Sequence, residues 1–169
     1  MELEELLANL NRNKISYSGW FRSVNDLLKE INTGESSIDD KGVNHLSVVN
    51  CEITDARGYR LLESEQLYND GRRINRLIKV SGKLQRNESP TEAMVRELSE
   101  ELSLPSGDYR LVYTGSTVRE NNNRPFYATL PSRCVRHHFE LQMPEELWRE
   151  EYVEIAPDKV AWFHWFQPE

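Results

Sequence analysis

The stretch from Gly82 to Leu104, GKLQRNESPTEAMVRELSEELSL, constrains this chain more than any other. Ser89-Pro90-Thr91-Glu92 opens a helix, with a Ser suited to the N-cap, Pro at the first helical position and Glu at the third. The helix is expected to run to about Leu102. At about 100° per residue, Met94, Val95, Leu98 and Leu102 fill one arc, which faces a core. Glu97, Glu100 and Glu101 fill an adjoining arc, so three carboxylates converge at the edge of the buried face. That placement is unfavourable by itself. The (i, i+4) pair Glu97 and Glu101 costs a few tenths of a kcal/mol, and acids in the last turns oppose the helix dipole by about 0.3–1 kcal/mol. A divalent cation with oxygen ligands turns this repulsion into binding. The alternative is a solvated acidic face.

The order Gly82, Glu88, Arg96-Glu97-Leu98, Glu100-Glu101 resembles the box that defines the Nudix hydrolases, a glycine loop followed by a helix of metal-binding glutamates. The resemblance implies that Glu97, Glu100 and Glu101 coordinate Mg²⁺ or Mn²⁺ and that one of them helps activate the attacking water. It implies that the carbonyl of Gly82 is a further metal ligand. Arg96 would pair with Glu88, tying loop to helix and orienting the carboxylates; otherwise Arg96 is a helix-surface partner of Glu92 or Glu100. Two positions depart from the family pattern. Ser103 stands where the family has glycine just past the helix, and a left-handed serine there costs about 1 kcal/mol. Ser81 precedes Gly82 where a second glycine is usual. Neither change removes an expected metal ligand.

Between Asn69 and Asn87 lie Arg72, Arg73, Arg76, Lys79, Lys83 and Arg86 against the single acid Asp70, a local reversal in a chain of net charge −7. A diphosphate needs cations beside its metal ions, and Arg76 and Lys83 are the candidates for substrate binding. Glu140, with Glu120 as runner-up, is the candidate for a carboxylate recruited from outside the box. His137-His138 occupies a strand, where neighbours point to opposite faces. Trp162, Phe163, Trp165 and Phe166 suit core packing, with base stacking as the alternative.

The activity implied by the resemblance is metal-dependent hydrolysis of a phosphoanhydride bond in a nucleoside diphosphate linked to another moiety, by attack of metal-activated water on phosphorus. Nucleotide sugars, ADP-ribose, dinucleotide cofactors and nucleoside triphosphates are all used within the family, and the box does not choose among them. Two rivals are a non-catalytic Nudix-fold sensor that binds a nucleotide as a signal and a plain interaction domain with an acidic helix.

The remaining chain bounds these readings. Its 169 residues, 38% hydrophobic and 29% charged, suit a soluble globular protein. No apolar stretch is long enough to span a membrane, the acidic start Met1 to Glu5 lacks the features of a secretory signal, and Cys51 and Cys134 form neither a disulfide framework nor a zinc spacing. A reduced, cytoplasmic setting is the simplest reading. The negative charge argues against general nucleic-acid binding. Helices are expected over 3–11, 19–32 and 144–151. Strands are expected over 46–53, 59–65, 74–80, 109–113, 126–130, 134–143 and 159–166, with a polar break at 34–37 and a polar loop at 119–124. That order implies an α/β chain with a mixed sheet, as in the α/β/α sandwich of the Nudix fold. The resemblance implies an N-terminal helical extension over 1–40 and a Nudix domain over 41–169. Homodimers are frequent in the family, and the extension is available for such an interface.

Overall fold

A computed structural model describes residues 1–121 and 126–169. The elements in chain order are helices α1 (Leu3–Arg12) and α2 (Val24–Thr33), and strands β1 (Ser36–Ile38), β2 (Asn44–Thr54), β3 (Arg60–Tyr68), β4 (Arg73–Ile78) and β5 (Val80–Lys83). Helix α3 (Pro90–Leu102) follows, then β6 (Leu111–Glu120), β7 (Ser132–Gln142), β8 (Glu151–Ile155) and β9 (Lys159–Phe166). The strands are ordered β6-β7-β2-β3-β9-β8, with β1 and β5 beside β2 and β4 beside β3. The architecture is α/β, and the sheet is mixed. β3 runs antiparallel to β4 and β9, and β9 antiparallel to β8. β2 and β7 run parallel: the Asn50 side chain meets His138 and, further along both strands, the Met143 N–H donates to the Thr54 carbonyl at 2.7 Å.

The chain divides into two compact units. The first comprises Met1–Val48, Lys83–Ser89 and Ser116–Arg136. Its core gathers Leu6 and Leu10 of α1, Ile15, Leu27 of α2, Tyr127 and Leu130, with Trp20, Val24, Leu28 and Ile31 packed around them. α2 starts at Val24 because Ser23 caps it, accepting the Asp26 N–H while the Asp26 carboxylate accepts the Ser23 N–H. The expected helix at 19–32 therefore loses its first turn, and Trp20 reaches the core from outside it, its indole N–H on the Thr129 hydroxyl at 2.7 Å. α2 ends on Gly34 in the left-handed conformation, φ 81°. The following residues, expected as a polar break, form β1, which pairs Ser36 with Leu46.

The second unit comprises Val49–Gly82, Pro90–Gly115 and His137–Glu169. Alternate residues of its strands point inward: Val49, Cys51 and Ile53 of β2, Leu61 and Glu63 of β3, Phe139 and Leu141 of β7 are all buried. Ala93, Met94, Leu98 and Leu102 of α3 are buried with them, close to the arc expected from the wheel, and α3 packs on β8.

Several elements differ from expectation. Pro144–Glu151 holds one 3₁₀ turn, Glu145–Leu147, and then the strand β8. The stretch has acids but no apolar stripe to hold a helix, whereas Tyr152 is buried and β8 pairs with β9 along its length. Residues 126–129 are turns rather than a strand, folding Tyr127 and Leu130 into the first unit's core. The strand expected at 109–113 runs instead from Leu111 to Glu120, taking in two residues expected as loop. Asn122 to Arg124 of that loop lie outside the described residues. The run 74–80 is interrupted at Lys79 into β4 and β5.

Candidate functional site

The expected glycine and the first expected glutamate meet within the second unit. Glu97 is 8% exposed, and its carboxylate lies against the Cα of Gly82. A Cβ on Gly82 would stand 1.9 Å from the Glu97 Cδ and 2.0 Å from its Oε1, an overlap no side chain tolerates. Only glycine admits this approach, which is why the position carries no side chain. The close contact is an outcome of the fold; spacing in sequence indicates it but cannot measure it.

Arg96 donates from Nη1 to Glu97 Oε1 at 2.6 Å and to Glu100 Oε2 at 3.3 Å, the second being the (i, i+4) helix pair. Glu88, in the loop before α3, accepts the Gln85 N–H at 2.9 Å. Burial pushes the Glu97 carboxyl up to about 7, against the pull of Arg96 and with a further push from Glu100 and Glu154. Burial also raises Glu101 well above the ordinary carboxylate range, helped by the charges of Glu97, Glu154 and Glu63. Glu154 is raised by burial too, Lys159 opposing and Glu63 and Glu100 adding to the effect, and its buried Oε2 has no hydrogen-bond partner among the described residues.

Glu63 and Glu154 are the functional candidates that sequence reasoning missed. Glu63 is 3% exposed and accepts the Arg76 Nε at 2.7 Å and the Gln66 side-chain N–H at 2.8 Å. It sits at the inward register of β3, a position legible only once the strand's facing is known. Glu154 lies on β8, of which only Glu151 falls in an expected element, the helix over 144–151. Arg76, expected at substrate phosphates, is thus engaged with Glu63. Lys83, its companion, donates to Glu30 Oε2 at 2.5 Å in the first unit. Glu140 lines an open depression in the second unit with Glu52, Thr54, Arg110, Val112, Leu141 and Gln142. His138 contacts the Asn50 side chain and His137 the Tyr113 hydroxyl at 3.2 Å. Phe163 is a core residue, and Trp165 stacks on Trp148.

Ser103 adopts the left-handed conformation that the helix end requires, φ 57°, with the Leu104 N–H returning to the Leu98 carbonyl at 3.2 Å. Serine at a glycine position therefore keeps the glycine geometry at a conformational cost.

Among the described residues, no three His, Cys, Asp or Glu side chains are gathered into a ready-made metal group. Arg96 is the cation that neutralises Glu97 and Glu100 here. The chemistry of the donors nonetheless fits a hard cation. Glu63, Glu97, Glu101 and Glu154 repel one another in a partly buried setting, one of their oxygens lacks a partner among the described residues, and Gly82 brings main chain against Glu97.

No protein-family model matches this chain, and no curated protein matches it. Solved structures similar to it include the E. coli dihydroneopterin triphosphate pyrophosphohydrolase, at 18% identity and a TM-score of 0.49 over 70% of this chain and 78% of that one. The NUDIX domain of Shewanella oneidensis NrtR complexed with ADP ribose is similar at 17% identity and a TM-score of 0.48, over 72% of each chain. A NUDIX hydrolase from Nitrosomonas europaea is similar at 21% identity and a TM-score of 0.45, over 70% of this chain and 72% of that one.

Proposed function

We propose that this chain is a Nudix-type nucleotide pyrophosphohydrolase, dependent on Mg²⁺ or Mn²⁺, that hydrolyses a phosphoanhydride bond in a nucleoside diphosphate linked to another moiety. The observation that carries this reading is the apposition of Gly82 and Glu97 within a box of fixed residue order. Glu97, Glu100, Glu101 and the Gly82 carbonyl would hold the metal, with Glu154 the carboxylate recruited from outside the box in place of Glu140 or Glu120. When bound, the cation polarises phosphoryl oxygens and lowers the pKa of water.

The chain's own groups supply the rest. Glu97, titrating at about 7, can hold or release a proton near neutral pH, and Arg96 orients its Oε1. Glu101 and Glu154 resist ionisation until a counter-charge arrives, so cation binding and proton release are coupled. Arg76, 24% exposed beside Glu63, would shift from carboxylate to phosphate when substrate binds. No helix among the described residues is long and apolar enough to cross a membrane, and Cys51 and Cys134 are free and buried, in keeping with a reduced cytoplasmic setting.

A second reading, a nucleotide sensor without turnover, is favoured by one observation: Arg96 already neutralises Glu97 and Glu100. Release of phosphate or nucleoside monophosphate from a panel of nucleotide sugars, ADP-ribose, dinucleotides and nucleoside triphosphates tests the choice. Metal-dependent turnover of one class supports the hydrolase. Protection against thermal unfolding by a nucleotide that is never cleaved supports the sensor.

A further inference from the structure

The loop Lys83–Ser89, which leads from Gly82 to the first residue of α3, belongs to the first unit together with α1 and α2. Helix α2 grips it in two places. Lys83 Nζ donates to Glu30 Oε2 at 2.5 Å, and Glu30, 5% exposed, also accepts the Tyr127 hydroxyl at 3.0 Å and Arg22 Nη1 at 3.3 Å. Three donors converge on one buried carboxylate, an arrangement a helix has no need of for its own stability. Three residues further along the loop, Arg86 Nη2 donates to the Asn32 carbonyl at 3.2 Å. That carbonyl lies in the last turn of α2, where the helix dipole favours a cation. The main chain of the loop comes close as well. A Cβ on Gly34 would stand 2.7 Å from the Arg86 Cβ and 3.2 Å from its Cα, so Gly34 both ends α2 and admits the loop. Between these two anchors, the Leu84 N–H donates to the Ser47 carbonyl at 2.9 Å.

We propose that α2 is a positioning element for the catalytic loop: Glu30, acting through Lys83, with Arg86 as the second anchor, fixes residues 83–89 and through the chain fixes the Gly82 carbonyl for the divalent cation. The inference rests on the hydrolase reading and extends it, because it gives the N-terminal extension a part in metal affinity. It also assigns Lys83, a cation that composition places at the phosphates, to holding the loop instead. Glu30, Lys83 and Arg86 are positioning residues, since none need touch substrate or metal.

The test is Mn²⁺ binding followed by electron paramagnetic resonance, with amide hydrogen exchange of residues 83–89 in metal-free protein, on wild type, Glu30→Gln, Lys83→Met and the double variant. Each single substitution is expected to weaken Mn²⁺ about tenfold, the usual scale for removing a supporting residue behind a metal ligand. The double variant should be no worse than the singles, exchange in 83–89 should rise, and Lys83→Arg should retain wild-type affinity. Should Glu30→Gln fail to fold, Lys83→Met and Arg86→Ala, which change the more exposed partners, carry the same comparison. Mn²⁺ affinity within twofold of wild type in every variant, with faster loop exchange, overturns the positioning role alone. Wild-type protein that takes up no Mn²⁺ overturns the hydrolase reading with it.

Discussion

Replacing Glu97 by Gln in metal-free protein converts the electrostatics of the site into a stability measurement. The Glu97 carboxyl is raised from 4.5 to about 7 in the folded protein. A raised carboxyl means that the folded state holds the proton more tightly than the unfolded chain does. Stability is therefore greatest below the unfolded value, falls as pH rises through the window from 4.5 to 7, and stays at its reduced level above. Each pKa unit is about 1.4 kcal/mol, so the wild type loses about 3 kcal/mol from this group between pH 4.5 and pH 8. The amide of Gln does not titrate, and the contribution of Arg96 to the charged form is already contained in the shift. Glu97→Gln should thus be close to wild type in stability at pH 4.5 and more stable by up to about 3 kcal/mol at pH 8. Urea unfolding in chelator at the two pH values measures the difference. A stability gap between the two proteins that does not change with pH would show that Glu97 ionises normally, and the picture of a carboxylate cluster awaiting a cation would be wrong. Saturating Mg²⁺ should reverse the order at pH 8, stabilising wild type and leaving the variant behind.

Other substitutions probe separate links. Gly82→Ala places a methyl 1.9 Å from the Glu97 Cδ; a cost of about 1–3 kcal/mol from overpacking is expected in thermal unfolding, with turnover lost because the carboxylate is pushed aside. Ser103→Gly relieves the φ of 57° without touching the site and should raise stability by about 1 kcal/mol at unchanged kcat. Glu154→Gln should stabilise metal-free protein at pH 8 relative to pH 4.5, since burial raises that carboxyl too, while weakening Mg²⁺ activation measured as the metal concentration for half-maximal rate.

What could be read from the sequence was local. The N-cap at Ser89, Pro90 and the 3.6-residue recurrence of Met94, Leu98 and Leu102 specify α3 without reference to the rest of the chain, and the helix spans Pro90–Leu102 as expected. The closing strand, rich in aromatic residues, likewise has the expected ends. The failures arose where tertiary partners decide. Pro144 to Glu151 reads as a helix, yet it holds only the turn Glu145–Leu147 before Glu151–Ile155 pairs with β9 as a strand that no expectation included. Phe126 to Leu130 has strand-like composition, but Tyr127 and Leu130 serve as plugs for the core of α1 and α2. The same distinction runs through the site. Gly82 and the α3 glutamates announce themselves by spacing, whereas Glu63, Glu154 and the Glu30–Lys83 pair join residues far apart in sequence, and no local pattern marks a carboxylate whose role comes from the strand or helix opposite it.

Metal-dependent turnover by the α3 carboxylates is tested by release of phosphate or nucleoside monophosphate from the nucleotide panel, with Mg²⁺ and with Mn²⁺, by wild type and Glu101→Gln side by side. Cleavage of one substrate class is expected to require the metal and to fall by about two orders of magnitude or more in the variant, the scale on which a lost transition-state contact is felt. Turnover that survives Glu101→Gln, or proceeds equally well in chelator, would contradict it.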